Sequence, residues 1–147
     1  MFMVFIRIFI ISIVIFFGCQ SKIDKMSNKK NNIYQTTVDI PVKLHYALYT
    51  PKDYYDNDSE YPLVLYLHGV GERGQDLNKI EVNGLPEAIS KGKTFPFLTL
   101  APQCPEFGWW SRPEYVEALA DLLSEVVKNQ RVNTKKIYAT GLSMGGY

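Results

Sequence analysis

Gly141, Ser143 and Gly145 in the stretch YATGLSMGGY match the pattern GxSxG. A serine flanked by glycines after a strand is the arrangement of a nucleophile elbow. The turn is too sharp for large neighbours, so the hydroxyl projects above the sheet. The chemistry this suits is acyl transfer, in which Ser143 attacks a carbonyl and the positive end of the following helix faces the site. The next backbone N–H, that of Met144, then stabilises the oxyanion. A second donor is needed, and a glycine-rich loop after an earlier central strand is its expected source. In LYLHGVGERG that donor is the N–H of Val70, just after His68 and Gly69. Such a serine also requires a base. The chain holds 2 histidines. His68 reads as a loop-shaping residue, and His45, in the middle of KLHYALY, as a packed or surface strand residue.

The elements that must position these groups follow from local pattern. YQTTVDI and VKLHYALYTP, separated by Pro41, are rich in β-branched and aromatic residues and read as two strands opening a sheet. PLVLYLHG (residues 62–69) and FPFLTLAP (residues 95–102) are nearly continuous apolar runs, as expected of strands buried on both faces of a parallel sheet. From Pro113 to Arg131 the period changes. Val116, Leu119, Ala120, Leu123, Val126 and Val127 recur at helical spacing, Pro113 and Glu114 suit the first turn, and Lys128 and Arg131 the last. KKIYATGLS then returns as a strand, which completes a strand, helix, strand order and places the chain in the α/β class.

Several other functions find no support. With 147 residues, 46% of them hydrophobic, and a formal net charge of +1, the chain suits one ordinary domain and lacks the charge of a nucleic-acid binder. Lys29 and Lys30 read as part of a solvated linker. GVGERG formally fits GxGxxG, but Asn83, Gly84 and Pro86 break any long helix behind it. The next strand ends in Ala101, Pro102 and Gln103 with no acid for a ribose, so nucleotide binding is not expected. Cys104, between two prolines in APQCPEF, has no neighbouring His or CxxC and reads as structural, with no metal site.

The amino-terminal stretch differs in kind. Between Val4 and Phe17 the one charge is Arg7, and the apolar core is of signal-peptide length, short of the roughly 20 residues of a membrane span. Gly18 and Cys19 fit a lipid-attachment site. The expectation is a signal peptide over residues 1–18 and a flexible tether over 19–33 behind a lipidated Cys19, followed by a domain from residue 34. Export to the cell envelope with membrane attachment by lipid would result. An ordinary cleaved signal or an uncleaved anchor is the alternative.

YPLVLYLHGVGERG, FPFLTLAPQCP, a tryptophan at Trp109 or Trp110, and KKIYATGLSMGGY, in this order, resemble the α/β-hydrolase superfamily. The likeness is to bacterial esterases and predicted peptidases related to dienelactone hydrolases, phospholipase/carboxylesterases and polyhydroxybutyrate depolymerases, and it covers residues 34–147. It implies an α/β-hydrolase fold, seen here as the amino-terminal half of a mostly parallel sheet. It also implies a serine hydrolase without cofactor, acting on small-molecule or polysaccharide esters, whose triad runs Ser, then Asp or Glu, then His. The acid and base would then lie downstream of Tyr147, this chain alone would be inactive, and residues 137–140 would form an uncovered apolar edge. A peptidase of the same fold is one alternative. The other is a catalytically inactive surface lipoprotein that binds carbohydrate or lipid.

Overall fold

The computed structural model describes residues 29–35 and 41–147. The expected signal peptide, Cys19 and the start of the tether lie outside the described residues, as do residues 36–40. Five strands, β1 (Lys29–Gln35), β2 (Lys43–Tyr49), β3 (Tyr61–Leu67), β4 (Leu98–Gln103) and β5 (Val132–Gly141), form one sheet in the order β1-β2-β4-β3-β5. β3 runs parallel to both β4 and β5, whereas β2 is antiparallel to β4 and to β1.

All six residues of β4 are buried, Thr99 and Gln103 included, so its apolar residues do not alternate with exposed polar ones. Helix α2 (Pro113–Asn129) leads from β4 to β5, which pairs with β3 and not with β4. Its buried residues, Ala118, Leu119, Leu122 and Val126, return on one face and pack with Leu44, Leu48, Leu63, Leu65, Leu98 and Leu100. Pro113 occupies the first turn, and the preceding Arg112 is extended (φ −70°, ψ 139°), as a residue before proline prefers.

The other sheet face is closed by a short helix, α1 (Gly84–Ser90), which the glycine and proline at residues 84 and 86 had argued against only as a long helix. Gly84 is required there for two reasons. Its φ is +68°, and a Cβ would lie 2.2 Å from the Tyr66 hydroxyl oxygen. Leu85 and Ile89 pack with Ala47, Tyr49, Tyr66, Leu77, Ile80 and Ala101.

The stretch expected as tether is corrected at its end, because residues 29–33 belong to β1. Lys29 pairs with Glu81 at 2.8 Å, and Glu81 accepts a hydrogen bond from the buried Tyr49 hydroxyl at 3.0 Å. Lys29 therefore ties the edge strand to the loop below it rather than sitting in a solvated linker. At the opposite edge, β5 is largely exposed beyond Val132, and Tyr138 stands out on it. No helix among the described residues is long and apolar enough to cross a membrane.

Candidate active site

The carboxyl ends of β3 and β5 meet side by side, with Leu67 opposite Gly141. Beyond them the chain makes its tightest turn. Ser143 has φ +50°, the one positive φ of a non-glycine residue among the described residues. A left-handed serine is strained and persists only where its surroundings hold it. Those surroundings are visible. Leu142 N–H donates to the Leu67 carbonyl at 3.0 Å, and Gly145 N–H donates to the Leu142 carbonyl at 2.9 Å. The buried Met144 side chain anchors the turn in the main core.

Both glycines of the motif are there because nothing larger fits. A Cβ on Gly141 would lie 1.9 Å from the Gly145 carbonyl oxygen, and one on Gly145 would lie 2.0 Å from the Leu67 carbonyl oxygen. Gly146 is different, since a Cβ there would come no nearer than 3.7 Å, to the Gly141 carbonyl oxygen. Ser143 and Met144 open a short 3-10 turn, Ser143–Gly146, whose first N–H groups have no partner inside the turn.

The loop after β3 packs directly onto this elbow. A Cβ on Gly69 would lie 3.6 Å from both Ser143 Cβ and the Leu142 carbonyl oxygen, so the Gly69 backbone rests against the serine. Val70 begins a second 3-10 turn, Val70–Glu72, and its N–H is again free of a partner within the turn. The structure thus brings His68, Gly69, Val70, Gly141, Ser143, Met144 and Gly145 together at one end of two adjacent strands. GVGERG leads into a three-residue turn and not into the helix that a dinucleotide fingerprint opens.

His68 is built into the loop. It is 1% exposed, and its Nε2 accepts the Cys104 N–H at 2.9 Å while Nδ1 lies 2.6 Å from the Gly69 carbonyl oxygen. Since Nε2 must accept, the proton is on Nδ1 and is donated to Gly69. Burial holds this imidazole below its ordinary pKa, against the raising influence of the Gly69 hydrogen bond and of Glu72. With both nitrogens engaged inside the loop, His68 is not disposed to take a proton from Ser143. His45 lies on β2, opposite Gln103 of β4. Cys104 is fully buried and burial pushes its thiol up to about 12, so it is no nucleophile at neutral pH.

Three further residues, absent from the motif reading, hold the loop. Gln103 Nε2 donates to the carbonyls of Glu72 at 2.7 Å and Asp76 at 2.9 Å. Arg73 donates to the Val70 carbonyl through Nε at 3.0 Å and to the Gly108 carbonyl through Nη1 at 3.2 Å. Glu72 is buried beneath them. The signal available in sequence was the presence of two charged residues inside a glycine-rich loop bounded by apolar strands. Among the tryptophans, Trp110 is buried and donates to the His68 carbonyl at 3.1 Å, while Trp109 and Phe107 are exposed. No group of three His, Cys, Asp or Glu suited to a metal ion occurs among the described residues.

No protein-family model and no curated protein matches the chain. Solved structures do. A thermostable esterase is 31% identical with a TM-score of 0.65 over 80% of this chain. A ferulic acid esterase from Anaeromyces mucronatus is 18% identical with a TM-score of 0.53 over 81% of it. The acylaminoacyl peptidase of Pyrococcus horikoshii is 14% identical with a TM-score of 0.52 over 86% of it. Together with the strand order and the elbow, these likenesses define the fold as that of the α/β-hydrolases. The chain spans 35% of the length of the thermostable esterase, 50% of the ferulic acid esterase and 21% of the peptidase.

Proposed function

We propose that the protein is a serine hydrolase of carboxylic esters that works through an acyl-enzyme on Ser143. The observation that carries this reading is the strained Ser143 (φ +50°) with the Gly69 backbone packed against its side chain. Ser143 Oγ attacks the ester carbonyl, and the N–H groups of Val70 and Met144 hold the oxyanion. A histidine takes the serine proton and returns it to the leaving alcohol, and water then releases the acid. The resemblance to the α/β-hydrolases puts that histidine and its acidic partner downstream of Tyr147, in keeping with the occupied nitrogens of His68 and the place of His45 on β2, two strands from β3.

The substrate proposed is a small-molecule or polysaccharide ester. The ferulic acid esterase likenesses favour it, and Arg73 links the Val70 carbonyl to the loop that exposes Phe107 and Trp109, offering an aromatic wall beside the oxyanion loop. The peptidase among the structural neighbours keeps amide substrates as a second reading. A non-catalytic lipoprotein that binds carbohydrate or lipid on this surface is a third, drawn from the absence of a base near Ser143 among the described residues. For location, Cys19 is proposed to carry lipid and hold an exported protein at the cell envelope.

The test is labelling of the full-length protein by a fluorophosphonate together with nitrophenyl ester hydrolysis. Labelling at Ser143 and loss of both signals in Ser143→Ala are expected, whereas wild-type hydrolysis by Ser143→Ala would sink the reading. Metabolic labelling with palmitate that survives in wild type and vanishes in Cys19→Ala tests the anchor.

A further inference from the structure

Glu72 is a buried carboxylate for which the proposed chemistry has no use. It is 5% exposed, and Oε1 accepts a hydrogen bond from Asn83 Nδ2 at 2.5 Å, just ahead of α1. Oε2 is buried without a hydrogen-bond partner among the described residues. It lies 3.8 Å from the proton-bearing Nδ1 of His68. It also lies 3.2 Å from the point where a Cβ on Gly69 would stand, the same point that is 3.6 Å from Ser143 Cβ. One carboxylate oxygen and the nucleophile therefore flank the same side of Gly69.

Holding a carboxylate in that place is costly. An incompletely paired buried charge destabilises a fold by several kcal/mol, and a well-packed apolar residue of similar volume is often neutral or better. A loop kept only for packing has no need of it. Local rules are broken in this way where function demands it. The placement of Glu72 indicates what the demand is. Its backbone carbonyl is held by Gln103 of β4, its side chain by Asn83, and its free oxygen faces both the His68 Nδ1–H and Gly69. Gly69, which precedes the proposed donor, thus has a fixed carboxylate and the nucleophile as neighbours on one side.

We infer that Glu72 is a positioning residue for the oxyanion loop, setting the Val70 N–H against Ser143 through its contacts to Asn83, His68 and Gly69. This rests on the ester-hydrolase reading of Ser143. In Glu72→Gln the Asn83 bond survives, but an amide donor replaces the oxygen that faces the His68 N–H. Two donors then oppose each other, and the loop must shift. Small misplacements of this kind cost up to about a hundredfold in rate.

The experiment is steady-state hydrolysis of nitrophenyl acetate by the full-length protein, with thermal melting of each variant. Glu72→Gln is expected to lower kcat of the folded protein by at least about tenfold with KM within about twofold. A merely structural role would lower the melting temperature and leave kcat of the folded fraction intact, and that result would overturn the inference, as would a wild-type kcat. Should Glu72→Gln fail to fold, Asn83→Ala releases the same carboxylate and must show the same loss of kcat at constant KM. Ser143→Ala runs alongside. If it keeps the activity, the reading of Ser143 as nucleophile fails and takes this inference with it. If it is inactive while Glu72→Gln is normal, the inference alone fails.

Discussion

Leu67 and Gly145 touch backbone to backbone: a Cβ on Gly145 would sit 2.0 Å from the Leu67 carbonyl oxygen, which also accepts the Leu142 N–H at 3.0 Å. The end of β3 is therefore the surface on which the elbow is folded. Gly145→Ala forces backbone apart from backbone, with no flexible side chain to yield, and is expected to cost about 3 kcal/mol. Gly146→Ala, whose Cβ would come no nearer than 3.7 Å to the Gly141 carbonyl oxygen, should stay within about 0.5 kcal/mol. Denaturant titration of the two variants checks the contrast, and equal stabilities would refute the close approach.

His68 supplies a dependence on pH. Burial holds its pKa below the ordinary value of about 6.5, so as pH falls the unfolded chain takes up this proton before the folded one does. Its contribution is therefore complete above about pH 6.5 and is lost as pH falls from there toward the lower folded value. His68→Asn removes the titration. Wild type should melt well above the variant at pH 7.5, and the gap should narrow toward pH 5. A gap that stays constant would show that His68 does not titrate with folding.

Cys104 offers a test of burial on the opposite face of the same hydrogen bond. With its thiol pushed up to about 12, roughly one molecule in ten thousand carries a thiolate at pH 8. Iodoacetamide should modify Cys104 of the native protein at least about a hundredfold more slowly than in denaturant, as followed by peptide mass. Rapid native alkylation would mean that the loop opens readily and that the His68 to Cys104 hydrogen bond is not held in solution.

The parts legible from sequence are those whose cause is local. GxSxG was readable because Gly141 and Gly145 answer to contacts inside one turn and its adjoining strand, and α2 because one face meets one core. β4 was readable because burial on both faces makes it mostly apolar, with Thr99 and Gln103 as buried exceptions. β1 was not. Its residues KKNN have no strand preference, and Lys29 is fixed by Glu81, a residue far along the chain. α1 was hidden by Gly84, whose presence answers to Tyr66 across the sheet face and not to helix propensity. Glu72 stood in plain view inside GVGERG, but its meaning depends on Asn83, His68 and Gly69 in space.

Val70 allows the oxyanion assignment to be tested with little disturbance, because proline removes an N–H and here need remove nothing else. Val70 opens a 3-10 turn, where proline is tolerated because the N–H has no partner within the turn. Gly69 ahead of it is already extended, at φ −78° and ψ −177°, as a residue before proline must be. Val70→Pro should therefore fold with an unchanged or slightly raised melting temperature, since proline restricts the unfolded chain. On the ester-hydrolase reading, the full-length protein should lose about a hundredfold to a thousandfold in kcat, the range for loss of one oxyanion donor, with KM little changed. Val70→Ala keeps the N–H and should retain most of the activity. If Val70→Pro turns over esters like wild type, the second donor is another group, and the loop after β3 serves the elbow by packing alone.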